Sequence, residues 1–295
     1  MSECQCGGNH GANYADRAVF RTVRVLDAEQ VATDTYRIRL DAPDLVGSIL
    51  PGQFVMLRLA GQNDPLLGRP LAVYRILADP AGAIELVYLV VGKMTSRLLE
   101  VKPGAELELW GPLGNGFSTT PAEHMIMVAG GIGQTPFLTL AEERLGLRSF
   151  GRPAREVEPA TRVSLCYGAR SAEYLACTED FDRIGVEMYL TTEDGSAGEK
   201  GLVTAPLKRL LDESPKEMTR IATCGPVPML RAVAALAKEY DVPCEVSLET
   251  PMACGIGACF SCVAKIRGED GDWDWRRTCV EGPVFDARDV SFEEE

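Results

Sequence analysis

Histidine is nearly missing from this chain: only His10 and His124 occur among 295 residues. That scarcity leaves little room for a histidine-ligated metal or for imidazole acid–base chemistry. No apolar run reaches the roughly twenty residues that a membrane-spanning helix needs. The best stretch, 125–140, is broken by glycines, Gln134, Thr135 and Pro136. Basic residues are outnumbered, 30 Lys and Arg against 43 Asp and Glu. The net charge of −13 carries no basic stripe, which argues against a nucleic-acid partner, and no membrane association is expected. The start, Met1-Ser2-Glu3-Cys4-Gln5-Cys6, has neither the basic opening nor the apolar core of a secretory signal, so a cytoplasmic location is the expectation.

Cysteine, glycine and short β-rich segments are what the chain does have. Ten cysteines in a long chain without a secretory signal point to metal or redox chemistry, and four of them fall between 254 and 279. Residues 1–16 show no apolar periodicity and read as a flexible leader, with metal binding by Cys4, Cys6 and His10 as the alternative. Over 17–117, strands are predicted at Val19–Leu26, Thr35–Leu40, Gln53–Leu59, Leu71–Leu77, Ile84–Val91 and Glu106–Trp110, a spacing that suggests a small antiparallel barrel. Over 118–243, strands at His124–Ala129, Arg162–Tyr167, Glu187–Thr191 and Arg220–Thr223 alternate with helical stretches from Thr135, at Ala205–Leu211 and at Pro228–Tyr240. That order implies a parallel, helix-covered sheet. Residues 244–295 form a third, small unit. The fold class is therefore multidomain α+β: an antiparallel barrel, an α/β parallel-sheet domain and a C-terminal cysteine unit.

Cys254, Cys259 and Cys262 are separated by four and then two residues, and Cys279 follows after sixteen more. A [2Fe-2S] cluster needs four thiolates around two irons, and this order of gaps has the plant-type ferredoxin spacing. Zinc ribbons favour two closely spaced pairs, and Cys279 has no near partner. A Rieske centre needs two histidines, and neither histidine is near. Cys166, Cys177 and Cys244 stand singly and read as small buried hydrophobes.

In Arg69-Pro70-Leu71-Ala72, the proline stiffens the strand entry and would hold the guanidinium near a phosphate. A second segment, Val87-Tyr88-Leu89 followed by Gly92-Lys93-Met94-Thr95, runs from a strand into a short helix, with Thr95 expected as N-cap. Gly130-Gly131-Ile132-Gly133 follows a strand and opens a helix, which suits nucleotide phosphates. Cys224-Gly225-Pro226 ends a later parallel strand, where ligands collect in open α/β sheets.

In this order, with Gly111-Pro112-Leu113-Gly114-Asn115-Gly116-Phe117 between them, these segments resemble the ferredoxin reductase superfamily. With Met252-Ala253-Cys254-Gly255-Ile256-Gly257-Ala258-Cys259-Phe260-Ser261-Cys262 added, from Val19 onward the chain more closely resembles the electron-transfer subunits of heteromeric, NAD-linked dihydroorotate dehydrogenases. The resemblance implies FAD held by Arg69 to Ala72, Val87 to Leu89 and the Met94-Thr95 turn. It implies NAD(H) at Gly130, Gly131, Gly133 and Cys224 to Pro226, and a separate FMN-containing dihydroorotate dehydrogenase catalytic subunit as hetero-oligomeric partner in pyrimidine biosynthesis. Ala72 stands where the family commonly has serine, and Met94 where it commonly has glycine. Glu193-Asp194-Gly195 would disfavour NADP if it faced the ribose. Other readings are an NAD(P)H-dependent ferredoxin or oxygenase reductase, a sulfide dehydrogenase or transhydrogenase subunit and, outside enzymes, a redox-sensing or zinc-binding regulator. The cluster segment offers Met252, Ile256 and Phe260 either to a partner or to internal packing.

Overall fold

The computed structural model describes residues 17–268 and 270–292, so Cys4, Cys6 and His10 lie outside the described residues. Alternation decides the first half of the chain. In β1 (Val19–Ala32), Val23 and Val25 are buried while Thr22 and Arg24 face solvent, the period of two that turns one strand face to a core. β2 (Thr35–Asp41), β3 (Phe54–Leu59), β4 (Arg69–Ile76), β5 (Ala83–Leu89) and β6 (Glu106–Leu113) follow, with two short helices, α1 (Pro43–Val46) and α2 (Lys93–Leu98). They close into an antiparallel barrel of order β1-β2-β5-β4-β3-β6, which leaves no unpaired edge. Ile38, Leu40, Val55, Leu57, Leu107 and Leu109 fill it and are fully buried.

The second half reads differently because its strands are buried on both faces. β7 (His124–Gly130) sends Met125, Met127 and Ala129 into one core and Ile126 and Val128 into another. Such two-sided burial gives a continuous apolar run in place of an alternating one. The chain continues through a 3-10 turn (Gly131–Gln134), α3 (Phe137–Arg144), β8 (Arg162–Ala169), α4 (Thr178–Arg183), β9 (Glu187–Thr192), β10 (Glu199–Lys200), α5 (Thr204–Glu213), β11 (Thr219–Cys224) and α6 (Val227–Glu239). Helices α3 and α4 pack on one face of the sheet and α5 and α6 on the other. The helix expected from Thr135 begins at Phe137, because the glycine turn winds tighter first.

β12 (Cys244–Ser247) pairs parallel with β11, and β15 (Val284–Asp286) pairs antiparallel with β12. The sheet order is thus β10-β9-β8-β7-β11-β12-β15, and the boundary expected between residues 243 and 244 falls inside it. After β12 the cysteine loop and the hairpin of β13 (Val263–Arg267) and β14 (Trp273–Arg277) leave the large sheet, and the hairpin packs back on it through Ile266.

Two seams join the barrel to its neighbours. On one, Asp180 of α4 receives Arg75 Nη2 at 2.6 Å, Arg37 Nη1 at 3.2 Å and the Tyr74 hydroxyl at 2.8 Å. Glu85 of β5, fully buried, lies behind it against Arg39 at 2.8 Å and Arg75 at 3.4 Å. On the other, Phe54, Met56 and Leu113 pack with Met252, Cys262 and Cys279.

Candidate functional site

Two cavities open at the junction of barrel and sheet. The first, about 750 Å³, is lined on the barrel side by Arg69, Pro70, Leu71 and Ala72 of β4, Val87, Tyr88 and Leu89 of β5, and Thr95 of α2. Cys224 of β11 and Ser247, Glu249 and Met252 line its far side. The second, about 570 Å³, lies over the carboxyl ends of the parallel strands, where open α/β sheets collect ligands. Gly130, Gly131 and Pro226 line it with Arg170, Thr191 and Glu193. Leu89, Val91 and Ile132 belong to both walls, so the cavities adjoin.

Several expected residues contribute differently from their sequence reading. Thr95 is not the N-cap of α2; Gly92 is, and the Thr95 hydroxyl reaches back to accept the Val91 and Gly92 amides at 3.1 Å each. Those two amides are therefore already satisfied and the turn is held in shape. The Met94 side chain is fully buried in the barrel core, away from the cavity. Gly133 lines neither cavity. A Cβ there would come within 2.2 Å of the Cys224 carbonyl oxygen, so its role is to let the glycine turn and the end of β11 touch. Gly225 likewise lies against Gly130 and Met229. Arg69 Nη1 donates to the carbonyls of Leu67 at 3.2 Å and Gly68 at 3.0 Å.

Sequence reasoning missed Arg170 and Tyr174, whose guanidinium and ring stack at 5.0 Å in the second cavity, and Thr191. The ends of β8 and β9 were the signal that could have found them. Thr191 is 1% exposed, and its hydroxyl has no hydrogen-bond partner in the protein, as fits a polar group awaiting a ligand. Glu193 faces this cavity, whereas Asp194 is turned back onto the Ser196 amide at 2.9 Å. His124 is far from acid–base duty. It lies between Ser214 at 2.8 Å and Ser164 at 2.9 Å, and burial, followed by the charge of Arg162, lowers it to about 4.

The four cysteines come together in a wrapped loop. Gly257, at φ +82°, turns the chain where a side chain would strike Val280. The Trp110 indole donates to the Cys254 carbonyl at 2.9 Å, the Arg277 guanidinium to that of Gly257 at 3.1 Å and the Thr278 amide to that of Cys262 at 2.8 Å. The thiols fall into two pairs. Cys259 is exposed and pushed down to about 6 by the Ser261 hydroxyl, 3.2 Å from its sulfur, by the Ser261 amide and by Cys254. Cys279 is pushed up to about 12 by burial and then by Cys262. Among the described residues no three His, Cys, Asp or Glu gather as a site for one ion. A pair-and-pair arrangement of thiols fits two irons, each with two protein sulfurs.

The comparisons with known proteins follow the same three parts. Residues 22–117 match an oxidoreductase FAD-binding domain, 127–235 an oxidoreductase NAD-binding domain, and 249–291 the iron–sulfur cluster binding domain of dihydroorotate dehydrogenase B. The dihydroorotate dehydrogenase B (NAD(+)) electron transfer subunit of Desulforamulus reducens is 38% identical over 271 residues, covering 92% of this chain and 97% of that protein. The subunit of the same name from Fusobacterium nucleatum is 34% identical, covering 90% and 95%. Among solved structures, one of an NADH-dependent reduced ferredoxin-NADP oxidoreductase, described for flavin-based electron bifurcation, aligns with a TM-score of 0.74 at 27% identity over 92% of this chain and 90% of that one. A ferredoxin reductase of carbazole 1,9a-dioxygenase shares the fold, with a TM-score of 0.61 at 22% identity over 77% of this chain and 67% of that one. Among the described residues no helix is long and apolar enough to cross a membrane. The chain is an oxidoreductase component with FAD-, NAD- and iron–sulfur-binding domains, and it belongs to the family of dihydroorotate dehydrogenase B (NAD(+)) electron transfer subunits.

Proposed function

We propose that this chain carries electrons between NAD(H) and an FMN-containing, dihydroorotate-oxidising catalytic subunit, within a cytoplasmic hetero-oligomer serving pyrimidine biosynthesis. One observation carries the reading. Phe54 and Met252 face the first cavity and also belong to the apolar cluster that holds Cys262 and Cys279, so this cluster links the cavity wall to the cysteines. A bound flavin supplies the exchange between hydride chemistry and the single electrons of a [2Fe-2S] cluster.

The chain's own residues bind and orient. Arg69 would hold a flavin phosphate through charge-assisted hydrogen bonds. Pro70, Leu71, Ala72, Val87, Tyr88 and Leu89 would cover the flavin and exclude water, and Thr95 keeps the adjoining turn in shape. Gly130, Gly131 and Pro226 would admit the nucleotide to the strand ends. Arg170 and Tyr174 would flank it, and Glu193 would accept ribose hydroxyls and repel an extra phosphate. Cys254, Cys259, Cys262 and Cys279 would be the thiolate ligands. Met252 is buried, which leaves Ile256 and Phe260, 49% and 61% exposed, as the apolar side chains offered to the partner near the cluster.

The isolated, cofactor-loaded chain should bleach its flavin with NADH and leave dihydroorotate untouched. Adding an FMN-containing dihydroorotate dehydrogenase subunit should create dihydroorotate-dependent NAD+ reduction, which Cys259→Ser should interrupt. Dihydroorotate oxidation by the chain alone would overturn this division. The 27% identity to the ferredoxin-NADP oxidoreductase structure favours ferredoxin as the second reading for the one-electron partner. NADH-driven ferredoxin reduction with no coupling to the FMN subunit would put that reading first.

A further inference from the structure

Three side chains donate hydrogen bonds to carbonyls of the cysteine loop. Trp110 serves Cys254, Arg277 serves Gly257 and Thr278 serves Cys262. Among the described residues, Thr278 alone of the three shares a side-chain hydrogen bond with a residue lining the first cavity, Thr250. Its position follows from the hairpin. β13 and β14 pair Val263 with Arg277, and the ladder runs on by one rung, so that the Thr278 amide bonds the Cys262 carbonyl at 2.8 Å. The Thr278 hydroxyl meets the same carbonyl at 3.0 Å and the Thr250 hydroxyl at 2.5 Å. Thr278, its neighbour Cys279 and Cys262 are all buried.

Counting protons fixes the direction of this chain of bonds. The Thr278 hydroxyl carries one proton and the Cys262 carbonyl none. At 3.0 Å from that carbonyl the hydroxyl must donate, because otherwise two sets of lone pairs would face each other away from water. Thr250 therefore donates to Thr278. The Thr250 oxygen makes no other hydrogen bond among the described residues, so toward the cavity it can only accept, as suits an N–H on the edge of a flavin ring. We propose that Thr250 and Thr278 form a hydroxyl bridge from the cavity wall to the cysteine loop, and that this bridge raises the reduction potential of the cluster. Both O–H dipoles point their positive ends toward Cys262. An electron added to the cluster places one more negative charge at that end, in a buried setting where dipoles act strongly and each hydrogen bond polarises the next. Thr278 acts through the Cys262 peptide and Thr250 through Thr278, so both are positioning residues and neither is a ligand.

This inference rests on the reading above, and the test separates the two. The full chain, loaded with FAD and cluster, is poised anaerobically with chemical mediators, and the reduced cluster is counted by electron paramagnetic resonance. Thr278→Val should move the one-electron equilibrium about tenfold toward the oxidised cluster, a potential about 59 mV lower, with iron content unchanged. Thr278→Ser keeps the hydroxyl and should stay within about twofold of the unaltered chain. Thr250→Val should move the equilibrium about threefold in the same direction. Added to Thr278→Val it should move it no further, because the bridge is already cut. An unmoved potential in Thr278→Val, a Thr278→Ser variant as low as Thr278→Val, or a full additional effect of Thr250→Val in the double variant overturns the proposal. If Thr278→Val loses iron, Thr250→Val and Thr250→Ser decide: equal potentials in those two overturn it. Flavin bleached by NADH with a cluster that never follows, in the unaltered chain, would instead defeat the electron-transfer reading, since potentials set by mediators do not depend on that route.

Discussion

The barrel meets the nucleotide domain with a buried ion-pair network beside apolar packing, and meets the cysteine unit with an apolar cluster beside uncharged hydrogen bonds such as that from Trp110 to Cys254. On the first seam, Asp180 and Glu85 take hydrogen bonds from Arg37, Arg39, Arg75 and Tyr74, bonds with direction that hold one relative orientation. On the second, Phe54, Met56, Leu113 and Met252 pack with two cysteines and present no titratable group except the thiols. The difference matches what each seam must do. Two cavities that share Leu89, Val91 and Ile132 need their walls aligned. Under the proposed function, a cluster beside a flavin would need a thin, dry layer.

The largest break in this comparison should come from Asp180→Ala. Removing it leaves Arg75 and Arg37 without their shared carboxylate and should cost about 3–5 kcal/mol, read from denaturant unfolding. Acid should reach the same seam. Burial alone would raise Asp180, but the hydrogen bond and charge of Arg75, then Tyr74 and Arg37, hold it below its ordinary 3.8. With the folded value depressed, its contribution is complete above the unfolded value and is lost as pH falls through the folded one. Stability measured from pH 6 downward should fall less steeply in Asp180→Asn than in the unaltered chain.

On the apolar seam, Met252→Ala should leave a cavity and cost about 2–3 kcal/mol, with iron content falling before flavin content as denaturant is raised. The flavin cavity itself should answer to Arg69→Ala, with FAD retained about ten- to a hundredfold more weakly in gel filtration while iron stays bound. Unchanged FAD affinity would remove Arg69 from the site. The smallest change should be Trp110→Phe, which removes the hydrogen bond to the Cys254 carbonyl. It should cost about 1 kcal/mol and shift the electron paramagnetic resonance of the reduced cluster without loss of iron.

The barrel strands were legible because each buries one face and so alternates, and the iron–sulfur-binding segment because closely spaced cysteines mark such a unit, as the match over 249–291 shows. The interdomain seam was not legible: Arg37 and Asp180 are 143 residues apart, and nothing local marks either one. Thr95 was read as a cap because its residue type suits that position, yet the helix is capped at Gly92, and the Thr95 hydroxyl reaches back to the Val91 and Gly92 amides in place of those of the first helical turn.

β12 also limits how the protein can be taken apart. Four residues, Cys244–Ser247, complete the hydrogen bonding of β11 and lead within seven residues to Cys254. A cysteine unit transplanted from the expected boundary would carry a strand away with it, strip β11 of a neighbour and expose a sheet edge prone to pairing with other chains. A chimera that keeps β12 with the nucleotide sheet, and joins the foreign segment after Leu248, should stay soluble where the earlier cut aggregates. Recombination between relatives would be constrained in the same way, because the β15 of an incoming segment must still pair with the resident β12.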